Sequence, residues 1–298
     1  MNSKDQLPVT VVIPAFNRAA MLPRAVASIA GQHSYCPREV VVVDDGSTDD
    51  TAIVARKLGA RVLRHEVNHG PGAARNTGFA AARTPWLMQL DSDDEWLPHC
   101  LETLWPLRNG HVIVSGATVG GRDLPWYNGA GGRRPRIVRS PAELIFPDNF
   151  IAASAVLLRA TCVRAVGGYR TDLRQAEDLE LWLRMLEFGT GVVTPVVVSC
   201  YHDHPDQATA GRASAHAGHA RVLAMSADRA WWDPAYPVRW SAIPAWDAFR
   251  TSLREREPGD AALSLWRLLS HPQRARGLLE VLLHRRRTRQ AGRRQSMG

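Results

Sequence analysis

Met88-Gln89-Leu90-Asp91-Ser92-Asp93-Asp94-Glu95-Trp96 is the stretch that decides the fold. The apolar run from Trp86 to Leu90 stops abruptly at three carboxylates within four residues. A short apolar run bounded by polar residues reads as a buried strand. Carboxylates at its end cost solvation, because unpaired charge beside a core is expensive. If the backbone stays extended, Asp91 and Asp93 leave one side and Asp94 the other, since strand side chains alternate. Two carboxylates on one side of a strand end suit a hard cation, Mg²⁺ or Mn²⁺, which takes its remaining ligands from water and phosphate. The plainer alternative is an acidic turn in which Asp93 or Asp94 caps a helix starting near Trp96.

Upstream, the chain repeats one pattern. Leu7 to Ile13 is a β-rich run ended by Pro14. Leu22, Ala25, Val26 and Ile29 then follow at helical spacing, with Gly31 as a stop. Glu39 to Val43 is a second strand ending in Asp44-Asp45-Gly46-Ser47, and a helix is expected over 51–58. Arg61 to His65 is a third strand, and Gly70-Pro71-Gly72 opens a helix that carries Arg75. Strand-helix alternation implies a parallel sheet with right-handed crossovers. Ligands of such sheets sit beyond the carboxyl ends of the strands. Phe16-Asn17, Asp44-Asp45 and Asp91-Asp93 each fall at such an end, which points to a nucleotide-plus-metal site. No Gly-x-Gly-x-x-Gly follows the first strand and no Walker-type lysine is present, so dinucleotide oxidoreductases and P-loop enzymes lose support.

The chain has 298 residues, 45% of them hydrophobic, enough for one large domain with an appendage. Its formal charge is +8, so an acidic partner is plausible: a nucleotide, a phospholipid or a nucleic acid. Lys4 and Lys57 are the only lysines, so the basicity is nearly all arginine. Cys36, Cys100, Cys162 and Cys200 show no paired spacing, which argues against a zinc ribbon and fits free thiols in a reducing cytoplasm. No run approaches the roughly 18–20 apolar residues that span a bilayer. A cytoplasmic protein is expected, soluble or peripheral at the inner face of the membrane.

Four segments carry a resemblance: Val-Val-Ile-Pro-Ala-Phe-Asn, Val-Val-Val-Asp-Asp-Gly-Ser-Thr-Asp, Gly-Pro-Gly-Ala-Ala-Arg-Asn-Thr-Gly and Leu-Asp-Ser-Asp-Asp-Glu-Trp. In this order, over about the first hundred residues, they resemble glycosyltransferase family 2. The resemblance implies an inverting, nucleotide-sugar-dependent enzyme of the GT-A fold: a mixed, mostly parallel Rossmann-like sheet flanked by helices. It implies that Pro14, Phe16 and Asn17 line the donor site, with Phe16 facing the nucleobase. Asp44 or Asp45 would accept from the uracil ring N–H, and Arg75 would lie near the base or phosphate. Asp91 would approach the ribose, and Asp93, with Asp91, the metal. The family usually has Tyr where this chain has Phe16; stacking survives that change and a phenolic hydrogen bond does not.

The second half is less regular. Strands are expected over 112–119, 154–158 and 192–198, and a long loop over 120–136. Leu179, Trp182, Leu183 and Leu186 share a helical face, which puts Glu177 and Asp178 at the helix start. Acids there also suit the helix dipole alone. The order Glu-Asp before a Leu-Trp helix resembles the family's acceptor-side motif, which implies Asp178 as the catalytic base and Glu177 and Trp182 as substrate contacts. His202 and His204 follow the last strand. The resemblance favours His204 for a phosphate or metal contact, a loop-fixing hydrogen bond being the alternative. Past residue 209 the resemblance fades into helical segments over 213–228 and 260–284, rich in Trp and Leu and closed by Arg285-Arg286-Arg287. That region either packs on the catalytic domain or lies on an anionic membrane.

These readings combine into a division at residue 210, with a catalytic domain over 1–210 and a mainly helical, basic region over 211–298. The expected activity is transfer of a sugar from a nucleoside diphosphate, UDP first, to a hydroxyl of a carbohydrate, lipid-linked or other acceptor, with Mn²⁺ or Mg²⁺ as cofactor. A sugar nucleotidyltransferase would need a basic, Gly-rich N-terminal loop, and Pro14 to Arg18 is not one. Nucleic acid is not expected, because no recognised motif accompanies the high pI.

Overall fold

The computed structural model describes residues 4–120, 127–128, 134–145, 149–202, 212–255 and 258–295. His204 and most of the expected 120–136 loop lie outside the described residues. The strands are β1 (Asp5–Ala15), β2 (Tyr35–Asp44), β3 (Arg61–Arg64), β4 (Trp86–Gln89), β5 (Glu95–Trp96), β6 (His111–Gly120), β7 (Tyr127–Asn128), β8 (Arg136–Val138), β9 (Val156–Arg159) and β10 (Thr190–Tyr201). The helices are α1 (Leu22–Ala30), α2 (Thr51–Lys57), α3 (Pro71–Ala81), α4 (Cys100–Leu104), α5 (Ala142–Ile145), α6 (Ala160–Ala165) and α7 (Glu177–Leu186). Five more close the chain: α8 (Arg212–Met225), α9 (Tyr236–Trp240), α10 (Ala242–Glu255), α11 (Pro258–Leu269) and α12 (Pro272–Gln295).

The main sheet runs β3-β2-β1-β4-β9-β6-β10-β5. β3, β2, β1 and β4 are mutually parallel, as the alternation predicts. β9 is antiparallel to both β4 and β6, and β6 is parallel to β10. It follows that β1, β2, β4, β6 and β10 all end on one rim. The sheet is covered on both faces, so its strands are apolar throughout yet still sorted by alternation. Val9, Val11, Ile13 and Ala15 pack into one apolar cluster with Leu22, Ala25, Val26 and Ile29 of α1. Val12, Val41, Val43 and Leu87 face the other cluster, with Phe79 and the apolar side of α7.

Pro14 is tolerated inside β1 because of register. The Val12 carbonyl accepts from Leu90 N–H toward β4, and the Ala15 carbonyl accepts from Asp45 N–H toward β2. Residue 14 therefore faces the β4 side, where the ladder has already stopped at Gln89. The missing donor costs no ladder bond there.

The core does not stop at residue 210. Val222 and Leu223 of α8 and Trp240 of α9 belong to the same cluster as α7. Gly218 lies so close to the loop before α7 that a Cβ would stand 2.6 Å from Gln175 Cβ. The helical stretch expected over 260–284 is divided between α11 and α12. Their outer faces expose Leu263, Leu265, Trp266 and Leu269, then Leu279, Leu282 and Leu283. No described helix is long and apolar enough to cross a membrane.

Candidate active site

The rim is built from loop-to-loop hydrogen bonds. Asn17 adopts φ +54° and locks the β1–α1 loop onto the β2–α2 loop. Its N–H donates to Ser47 Oγ at 2.9 Å, and its Oδ1 accepts from Thr48 N–H at 2.9 Å. Arg18 N–H donates to Thr51 Oγ1, and Ala19 N–H to Asp49. Asn17 is thus engaged in fixing the loops, while Phe16 beside it stays 41% exposed on the rim.

Asp44 and Asp45 separate clearly. Asp44 has no exposed side-chain surface; it accepts from Ser47 N–H at 3.0 Å, and its other oxygen lies 3.3 Å from Arg64 Nε. Asp45 is also buried, with 4% of its side chain exposed, and is held differently. Its Oδ1 accepts from His65 Nδ1 at 2.6 Å and His69 N–H at 3.0 Å, and its Oδ2 from Gly70 N–H at 2.7 Å. Gly46 makes this possible at φ +76°, where a Cβ would stand 2.7 Å from the carbonyl carbon of Val67.

The acidic turn differs from the extended reading. β4 ends at Gln89, and Asp94 N–H donates to the Asp91 carbonyl at 3.1 Å, so residues 91–94 form a turn. Strand alternation therefore does not place Asp91 and Asp93. The helix-cap alternative also fails, because Glu95–Trp96 is a strand and α4 begins at Cys100. Ser154 holds the turn: its Oγ accepts from Asp91 N–H and donates to Asp94 Oδ2 at 2.5 Å, while its carbonyl accepts from Trp96 Nε1 at 2.7 Å. Burial, with the charges of Asp91 and Asp93, pushes the Asp94 carboxyl well above the usual carboxylate range. Asp93 is partly exposed, 3.9 Å from Arg18 Nε, and its carbonyl accepts from Arg24.

Arg75, expected near the base or phosphate, joins the acidic turn to the start of α7. It is buried, and its guanidinium donates to Asp91 Oδ1 at 2.6 Å and to Glu177 Oε1 at 3.2 Å. Burial opposes its charge, yet Asp91, with Tyr169 and Glu177, raises its pKa above the ordinary value. Its Cζ lies 5.2 Å from the Tyr169 ring centre. Tyr169 is fixed in turn by Asn76, which accepts from its N–H at 2.7 Å and donates to its carbonyl at 2.8 Å. Gly168, at φ +69°, lets Asn76 in; a Cβ there would stand 2.4 Å from Asn76 Oδ1.

Glu177 and Asp178 open α7, as the periodicity predicts. Ala176 before them is held at φ +58°, a left-handed conformation unusual for a non-glycine residue and often found at functional sites. Asp178 accepts from Leu179 N–H at 2.7 Å and from Asn149 Nδ2 at 3.2 Å. Burial, with the neighbouring charge of Glu177, pushes its carboxyl up to about 6. The charge of His219, from α8, acts the other way. Trp182 corrects the expected substrate contact: it has no exposed surface and stands edge-on to Tyr169 in the core, with ring centres 6.2 Å apart. The same helical spacing that places Asp178 at the rim places Trp182 inside.

Ser154, Asn149, Tyr169, Asn76 and His65 are the site's supports that sequence reasoning missed. Each is an ordinary polar or aromatic residue whose partner is 12 to 93 positions away, so spacing gives no signal.

The description Glycosyl transferase family 2 matches residues 10–147. Pre-mycofactocin glycosyltransferase of Mycobacterium tuberculosis is 32% identical over 213 residues, covering 67% of this chain and 43% of that protein. Succinoglycan biosynthesis protein ExoU of Rhizobium meliloti is 33% identical over 211 residues, covering 64% of this chain and 60% of its own length. The chain therefore spans less than two thirds of these curated relatives. Among solved structures, S. aureus TarS 1–349 in complex with UDP-GlcNAc superposes with a TM-score of 0.66 at 17% identity, over 95% of this chain and 92% of that one. Mannosyltransferase PcManGT from Pyrobaculum calidifontis, in complex with GDP-Man and Mn2+, gives 0.60 at 17% identity, over 99% of this chain and 89% of that one. With its four motifs arrayed along the rim of a mixed, mostly parallel sheet, the chain belongs to glycosyl transferase family 2 and has the GT-A fold.

Proposed function

We propose that the chain is an inverting glycosyltransferase that moves a sugar from a nucleoside diphosphate, UDP first, to an acceptor hydroxyl in glycoconjugate biosynthesis. The observation that carries this reading is the Arg75 bridge. One guanidinium joins Asp91 of the donor-side turn to Glu177, the neighbour of Asp178. A base and a donor site held by one buried cation are arranged for transfer between two substrates. Names of relatives support it: TarS is described with UDP-GlcNAc and PcManGT with GDP-Man and Mn2+.

In this reading the exposed Phe16 ring stacks on the base, beside Pro14 and Asn17. Asp45 is preferred to Asp44 as the base contact because Asp44 faces the Arg64 guanidinium, whereas Asp45 Oδ2 accepts from Gly70 N–H at the head of α3. A carboxylate oxygen has room for a second donor. Asp91, held by Arg75, faces the ribose. Asp93 is the residue that would hold the cation. The fit rests on hard oxygen ligands in one turn, where burial first, and then the charges of Asp91 and Asp93, drive Asp94 toward its neutral form. An ion of this kind takes most of its remaining ligands from water and substrate phosphates. When bound, such an ion offsets charge developing on the leaving diphosphate.

Titration of UDP and GDP with Mn²⁺ tests the donor half. Asp93→Ala should lose at least about tenfold in UDP affinity with Mn²⁺ and little without it. Asp45→Asn should narrow the preference for UDP over GDP more than Asp44→Asn does. Unchanged binding in Asp93→Ala, or an equal preference in all three proteins, would remove this assignment.

The region after residue 210 is proposed to serve the acceptor or an anionic membrane surface at the inner face of a membrane. The exposed Leu and Trp of α11 and α12, followed in sequence by Arg285-Arg286-Arg287, support this part. Flotation with phosphatidylglycerol vesicles should fall when the three arginines are changed to Glu, with UDP affinity kept. A parent chain that does not float would end the membrane idea.

A further inference from the structure

β5 is only two residues long and pairs antiparallel with β10, Glu95 opposite Cys200 and Trp96 opposite Ser199. Residues directly opposite on an antiparallel pair send their side chains to one face, and a residue two positions on joins them. Glu95 and Cys200 therefore project from the same side, and His202, just past the end of β10, comes back to them. A carboxylate oxygen, a thiol sulfur and an imidazole nitrogen meet there, all within 4.8 Å of one another. His202 Nε2 stands 3.3 Å from Glu95 Oε1. Cys200 is a free thiol.

We infer that Glu95, Cys200 and His202 form a binding site for one transition-metal ion of the zinc class, separate from the nucleotide's cation. The ligand chemistry decides the class. Thiolate and imidazole select borderline and soft ions, whereas Mn²⁺ and Mg²⁺ prefer oxygen. Tetrahedral zinc, with bonds of about 2.0–2.3 Å, needs its ligand atoms roughly 3.3–3.8 Å apart. The Glu95–His202 separation of 3.3 Å already falls in that range, and all three ligand atoms lie within 4.8 Å of one another. Glu95 and Cys200 come from two strands that share only two paired positions among the described residues, and His202 follows the second of them. An ion there ties β5 to β10 and so fixes the strand that begins immediately after Asp94. An ordinary Glu95–His202 ion pair with a thiol beside it by register is the alternative, and spectroscopy separates the two.

The full-length chain, stripped with chelator, is titrated with Co²⁺ alone. One equivalent should give the intense visible bands of a tetrahedral ion and a thiolate-to-cobalt charge-transfer band in the near ultraviolet, both displaced by Zn²⁺. Cys200→Ser should abolish the charge-transfer band. Glu95→Gln and His202→Asn should each weaken Co²⁺ binding by more than about tenfold. Asp93→Ala should leave both bands unchanged while losing Mn²⁺-dependent UDP binding, so failure here is distinct from failure of the donor-site assignment. Circular dichroism checks that each variant is folded, and His202→Asn serves as the test if Cys200→Ser is not. Absence of tetrahedral bands, a charge-transfer band that survives Cys200→Ser, or bands lost in Asp93→Ala would overturn the inference.

Discussion

Asp178→Asn is expected to lose at least about a hundredfold in transfer rate, to keep its affinity for UDP, and to become more stable at neutral pH. Loss of rate follows from the role: an inverting transfer needs a base for the acceptor proton, and a positioned base typically supplies about 10²–10⁴-fold. The gain in stability follows from the environment. The Asp178 pKa is raised from 3.8 to about 6, by burial first and then by Glu177. A raised carboxyl pKa means that the folded state disfavours the ion. The cost is absent below the ordinary value of 3.8, grows as pH rises toward 6, and is complete above it. At neutral pH it amounts to at most about 3 kcal/mol. Asn carries no charge and avoids it, so urea midpoints of parent and variant should diverge above pH 6 and converge in acid. The parent's rate should fall about tenfold per unit below pH 6, as the base is protonated. Single-turnover transfer with the product anomer read by NMR, beside urea curves at several pH values, is the measurement. A retained anomer or an Asp178→Asn enzyme as fast as the parent would end the mechanism; equal midpoints throughout would end the account of the raised pKa.

The parallel half of the sheet was legible because each of its strands is an apolar run followed by a helix with its own period and stop. The path through β9 was not. Val156–Arg159 is a short apolar run, and only its neighbours, β4 and β6, determine that it runs backward. The acidic turn exposes a limit of alternation. Side-chain direction read from a strand holds only while the strand lasts, and one hydrogen bond from Asp94 to Asp91 ends it. Trp182 shows how periodicity can outweigh a motif: its place on the apolar face of α7 already implied burial. Asp44 and Asp45 are indistinguishable as letters, since only their partners separate them: Arg64 for Asp44, and His65 and Gly70 for Asp45. β5 is too short to carry a pattern at all, yet it brings Glu95 to Cys200.

Arg75→Met is expected to be the most damaging single change in the site. Arg75 was legible as a conspicuous cation in a helix, but its partners, 16 and 102 residues away, were not. Removing it leaves Asp91 and Glu177 without their shared cation, next to Asp178. Breaking a buried ion pair from one side costs about 3–5 kcal/mol. Asp91 and Glu177 are 31% and 15% exposed, so water screens part of that and the lower figure, about 3 kcal/mol, is expected. The guanidinium also helps to hold the Asp178 pKa down, so its loss should move the acidic limb of the rate profile to higher pH. Arg75→Lys keeps the charge but not the planar fork that reaches two carboxylates at once, and should fall between parent and Met. Urea unfolding of the three proteins at neutral pH should therefore rank Arg above Lys above Met, with the Met deficit shrinking in acid as the stranded carboxylates take up protons. Equal midpoints for Arg and Met would show that the bridge contributes nothing to stability. An acidic limb that stays in place would separate Arg75 from the base, and with it the argument that one buried cation holds the donor and acceptor halves together.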